Sequence, residues 1–104
     1  MKHIKSYENL NVLDILKKYA VWEWDKSQIK RFDYDIIEII SEDKDLIWCK
    51  NLYNCVNNKI TGADLTQDSF SKKKYIHQIL YTSDNLEECL DYVKMLYTAF
   101  KYNL

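Results

Sequence analysis

Arg31-Phe32-Asp33-Tyr34-Asp35-Ile36-Ile37-Glu38-Ile39-Ile40-Ser41 is the stretch whose reading decides the fold. Its first half alternates Phe32, Tyr34 and Ile36 with Asp33 and Asp35; its second half places isoleucine at 36, 37, 39 and 40. The same isoleucines could form a helical stripe. β-Branching, however, restricts χ1 in a helix and suits a pleated surface, and the period-two start agrees with it. The reading is a strand whose far end is buried on both faces.

Working outward, Ser41-Glu42-Asp43-Lys44-Asp45 reads as a solvated turn into Leu46-Ile47-Trp48-Cys49, the returning strand of a hairpin. Lys50 to Ile60 fits two patterns: Cys49, Leu52, Tyr53 and Val56 on a helix, or Ile47, Cys49, Tyr53 and Cys55 on one face of a long strand. Asn57-Asn58 favours strand and turn. Thr61 to Lys74 is rich in Thr, Asp, Ser and Lys and reads as a long surface loop, followed by a strand over Tyr75 to Thr82.

The ends of the chain read as helices. About residues 8–20, Leu10, Leu13, Leu16 and Ala20 recur at helical spacing, flanked by Val12 and Tyr19, with Lys17 and Lys18 in the last turn. Val21-Trp22-Glu23-Trp24-Asp25 then suits a brief strand or extended connection. At the other end Asp84 is a candidate N-cap with Glu87 three positions on, and Leu86, Cys89, Leu90, Val93, Leu96, Tyr97 and Phe100 form a helical stripe. Tyr92, Met95, Ala99 and Tyr102 widen its apolar arc, which leaves a homodimer open. The expected architecture is a single α+β domain over residues 1–104, an antiparallel sheet packed with an N-terminal and a long C-terminal helix.

Composition excludes several chemistries. Gly62 is the only glycine and there is no proline, so neither a dinucleotide-binding nor a P-loop glycine pattern can be written. The expectation is no cofactor. Cys49, Cys55 and Cys89 are odd in number and at no zinc-ligand spacing, which points to reduced thiols and no metal. The N-terminal residues do not read as a secretory signal, and no stretch approaches the length of a membrane span, so the expectation is a cytoplasmic protein with no membrane partner. The formal net charge of −1 leaves partner choice to local patches.

Those patches are few. Asp33, Asp35, Glu38, Glu42, Asp43 and Asp45 form an acidic cluster diluted only by Arg31 and Lys44; a solvated acidic face is its ordinary reading, and docking of a basic partner the functional one if several project from one hairpin. Trp22 and Trp24 lie two apart, on one side of an extended segment; core placement is the commoner fate of tryptophan, and the functional reading is a pair of aromatic anchors beside Glu23 and Asp25. Lys72-Lys73-Lys74 before Tyr75 is the pattern of a single-stranded nucleic-acid contact, although three lysines on a loop also serve solubility. His77 near Cys49 or Cys55 is the one conceivable nucleophilic arrangement, and a histidine in an aromatic-rich strand is more often a packed sheet residue.

In its general plan the chain resembles the small, proline-poor immunity proteins that bacteria encode beside secreted or contact-delivered toxins. The likeness lies in the short amphipathic first helix, the acidic Tyr/Trp-rich middle, and a strand running into Ser83-Asp84-Asn85-Leu86-Glu87-Glu88 and a terminal helix. It carries no motif. The resemblance implies a non-enzymatic protein that binds one cognate toxin domain, a nuclease among the candidates, and blocks it by direct contact. A phage-encoded inhibitor of a host defence complex would use the same physics. A nucleic-acid-associated regulatory protein using Lys72 to Lys74 is the alternative, and a small enzyme using His77 with a carboxylate is the third reading.

Overall fold

The computed structural model describes residues 17–24 and 33–102. Their centre is a six-stranded antiparallel sheet in the order β4-β3-β2-β1-β6, with β5 beside β3. The strands are β1 (Tyr19–Glu23), β2 (Tyr34–Glu42), β3 (Leu46–Val56), β4 (Lys59–Gly62), β5 (Gln67–Ser71) and β6 (Ile79–Ser83). A helical turn, α1 (Lys72–Tyr75), and a 3-10 turn (Ile76–Gln78) join β5 to β6, and helix α2 (Leu86–Tyr102) follows.

The decisive stretch forms β2, and the returning strand is longer than its apolar start suggests. β3 pairs with β2 along its length, while its other edge pairs with β5 over Leu46–Lys50 and with β4 over Tyr53–Val56. At the break between them the chain of residues 63–66 is pinned by Ala63 N–H donating to Leu52 C=O at 2.9 Å and Asn51 N–H donating to Thr66 C=O at 3.1 Å. Asn57 and Asn58, with φ of 48° and 70°, make the two-residue turn from β3 to β4. Asparagine tolerates the left-handed region that this turn demands. Gly62 is not used in that way, for its φ is not positive and a Cβ there would meet nothing within 4 Å.

Because side chains alternate along each strand, the two sheet faces are built from interleaved residues. Val21, Tyr34, Ile36 and Cys55 face α2 and meet Cys89 and Val93, with Leu86, Leu90, Leu96 and Tyr97 flanking. Ala20, Ile37, Ile39, Ile47, Cys49 and Phe70 are buried on the opposite face, with Trp22, Ile76 and Ile79 packed against them. Burial of both faces explains the near-continuous isoleucine run of β2. From Leu86 to Tyr97 the apolar stripe of α2 is the one read from its spacing, Phe100 lying outside the described side chains; Val93 and Cys89 are fully buried. Burying a side chain of the valine class contributes about 1.5–3 kcal/mol.

Several expectations are corrected. Lys17 and Lys18, placed in the last turn of an N-terminal helix, are not helical, and Tyr19 and Ala20 at its end are the first two residues of β1; residues 8–16 of that helix, like Arg31 and Phe32, lie outside the described residues. Thr61 to Lys74 is not one loop, since it holds the end of β4, all of β5 and most of α1. Of the strand read over Tyr75 to Thr82, only the part from Ile79 onward is extended. The N-cap of α2 is Asn85, not Asp84: Glu87 N–H donates to Asn85 Oδ1 at 2.9 Å and Glu88 N–H to Asn85 C=O at 3.1 Å. Asp84 instead accepts the Lys18 backbone N–H at 3.1 Å, tying the start of β1 to the head of the helix.

Candidate functional site

Docking through the acidic hairpin requires several of its carboxylates to project together. The sheet separates them. Asp33 precedes β2, where its Oδ2 accepts both the Tyr97 hydroxyl at 2.8 Å and the Asn57 N–H at 3.0 Å, so it locks α2 and the β3–β4 turn to the sheet. Asp35 is 7% exposed on the face away from α2. Glu38 lies 4.0 Å from Lys18 Nζ, and Glu42 is ion-paired with Lys72 with little exposure of either side chain. Only Asp43 and Asp45, in the tip of the hairpin, are exposed, and Asp43 Oδ1 accepts the N–H of Lys44.

The two tryptophans named with them are equally internal in role. Trp22 packs on Phe70 with ring centroids 4.8 Å apart, and the Trp24 indole N–H is the donor facing the Asp35 carboxyl. Burial pushes that carboxyl up from its ordinary 3.8 to about 6, against the opposing pull of the Trp24 donor. The tryptophan that does face outward is Trp48, 40% exposed, beside Ile40 at 44%. A bulge at Ile40 sets both Ile40 and Ser41 against Trp48, on the side of the sheet that carries α2, and neither Ile40 nor Trp48 joins either core cluster. The signal for this was the break in the β2 alternation at Ile39-Ile40.

A second surface was not singled out from sequence. Asp84, Glu87, Glu88 and Asp91 are all exposed along the first half of α2, and no lysine or arginine lies between residues 84 and 93. Beside them Tyr81 of β6 stacks on Tyr92 with centroids 4.5 Å apart and planes within 6° of parallel, and Met95 is 54% exposed one turn further on. Burial and then Glu88 raise the Tyr81 hydroxyl above its ordinary value. Glu88 Oε1 accepts the Ser83 hydroxyl at 2.5 Å, which in turn accepts the Asn85 N–H at 2.9 Å, so this face is held rigidly to the sheet edge. A shallow pocket of about 280 Å³ lined by Lys17, Thr82, Ser83, Asp84, Asn85 and Glu88 indents its rim.

The other candidates come apart. His77 is exposed in the 3-10 turn, whereas Cys49 and Cys55 are buried free thiols on opposite sides of the sheet, pushed up by burial to about 11 and about 12. Thiols held so far above neutrality are not thiolates and make poor nucleophiles. Lys72 of the basic run is turned to Glu42, and Lys73 is exposed. Among the described residues no group of His, Cys, Asp or Glu is placed to hold a metal ion, and no helix is long and apolar enough to cross a membrane. No protein-family model, curated protein or solved structure matches the chain.

Proposed function

We propose that the chain is a non-enzymatic binding protein of the immunity type, neutralising a cognate toxin by direct contact through the acidic, aromatic face of α2 and β6. One observation carries this reading: four exposed carboxylates of a single sign lie against a stacked tyrosine pair and an exposed methionine on a rigid element. Tyrosine supplies contact area at low entropic cost, and a one-sign rim steers a partner of the opposite sign. A nuclease toxin presents such a partner surface, because it must bind phosphates. The hairpin tip, with Asp43 and Asp45 near Trp48 and Ile40, extends the same acidic and aromatic character to a second part of the molecule.

The test begins with capture of partners from the native host and identification by mass spectrometry, followed by association kinetics of the purified pair. Exchanging Glu87 and Asp91 for their amides is expected to slow association and flatten its salt dependence, with dissociation little changed. Exchange of Lys73 for glutamine is expected to leave the complex as it was. If the lysine variant loses binding and the carboxylate variants keep it, the surface is wrong, and a basic-loop interaction replaces it.

A further inference from the structure

Asp35 is unlike every other acidic residue of the sheet. Its register places it between Trp22 of β1 and Asn54 of β3, all on the face away from α2. Asn54 Oδ1 accepts from Asn51 Nδ2 at 3.0 Å, and Asn51 lies on the same face, opposite Ile37. Among the described residues, Asn51 Oδ1 is buried with no hydrogen-bond donor, and Asp35 Oδ1 is buried with no donor other than the Trp24 indole N–H that faces the carboxyl. Buried acceptors without donors are costly, and a charged one more so. One proton on Asp35 removes the charge and supplies a donor.

We propose that Asp35 is a proton-operated latch on this face of the sheet. Protonated, its hydroxyl is the donor that Asn51 Oδ1 lacks, and the row from β1 to β3 closes around it. Ionised, it keeps the Trp24 indole N–H but sets a charge against carbonyl oxygens, and the row opens to water.

The surroundings offer little to offset the ionised form. Among the described residues, β1 presents Trp22 and Trp24, β3 presents Asn51, Asn54 and the Cys49 thiol, and β5 presents Asp68 opposite Cys49. The Asp35 charge also raises the Cys55 thiol from across the sheet. Ile79 and Ile76 bring no charge, and His77 beside them is exposed. None of these is a cation at neutral pH. Burial, with none of these groups to offset it by positive charge, holds the carboxyl well above its ordinary range, and the sign of the linkage follows. A group whose folded value is raised contributes stability that is complete below the unfolded value of 3.8 and is lost as pH rises through about 6.

The experiment follows the Asp35 carboxyl carbon by NMR from pH 3 to 8, and measures urea unfolding of the wild type and Asp35→Asn over the same range. The expected midpoint of the carboxyl lies near 6. The unfolding constant of the wild type is expected to rise by about a hundredfold between pH 4 and 7 relative to that of Asp35→Asn, which lacks the titrating group. Faster amide exchange of the residues paired across β2 and β3 should accompany the rise. Parallel pH profiles of the two proteins, or a carboxyl midpoint below about 4.5, would overturn the proposal. If Asp35→Asn fails to fold, the carboxyl titration of the wild type decides alone.

Discussion

The six acids of residues 33–45 and the four of residues 84–91 are similar in density along the chain, yet outside the hairpin tip they end in opposite situations. In the hairpin, Asp33 holds Tyr97 and Asn57, Asp35 is buried, and Glu42 is paired with Lys72. Asp84 just before α2, and Glu87, Glu88 and Asp91 on it, all remain exposed. A strand inside a sheet is surrounded on both faces and both edges, so a polar side chain there must find a partner; the outer side of a helix meets water. A run of carboxylates in sequence is therefore not yet a charged surface.

The sharpest way to break this contrast is to remove a sheet acid. Asp33→Ala is expected to destabilise the protein by about 3 kcal/mol, because it leaves the Tyr97 hydroxyl and the Asn57 N–H without their shared acceptor. Urea unfolding measures it, and a loss below about 1 kcal/mol would mean that Asp33 behaves like a surface group. Tyr97→Phe should show part of the same loss, about 1 kcal/mol, since Asn57 keeps its partner.

Next in size is Lys72→Met. It leaves Glu42 charged at a position of low exposure, for an expected cost of about 1–2 kcal/mol, reduced from the fully buried case by the partial exposure of the lysine. Raising the salt concentration should change this difference little, as the pair is shielded from solvent. A cost that vanishes at high salt would place the pair with ordinary surface bridges.

The smallest effect on stability belongs to α2. Glu87→Gln with Asp91→Asn is expected to move the unfolding free energy by no more than about 0.5 kcal/mol, the loss at the helix dipole included. The same variant carries the largest expected effect on association with the partner. Stability changes rivalling those of Asp33→Ala would show that the helix acids, too, serve the fold.

How far each region was legible follows from the forces that place it. The β2 strand, the hairpin, the Asn57-Asn58 turn and the α2 stripe rest on local chemistry: β-branching, left-handed tolerance and a 3.6-residue period. β5 was missed because Gln67-Asp68-Ser69-Phe70-Ser71 has one buried apolar residue, Phe70, and its extended form depends on pairing with β3. The helical turn Lys72–Tyr75 carries no capping or periodic signal. Trp48 was passed over in favour of Trp22 and Trp24, since exposure depends on which face of the sheet lies under α2. The cap of α2 fell one residue from its expected place because Asp84 serves Lys18 of β1, a contact 66 positions away.

By itself the sequence determined an α+β composition, the strand character of β2 and of the start of β3 over Leu46–Cys49, the buried face of α2 and the absence of glycine-rich phosphate loops, all consequences of side-chain shape and local backbone preference. Only the tertiary structure decided which carboxylates are partners, which is buried and which face water. Solvation of a charge depends on everything within a few ångströms of it in space, and the register of β2 against β1 and β3 sets that neighbourhood for Asp35.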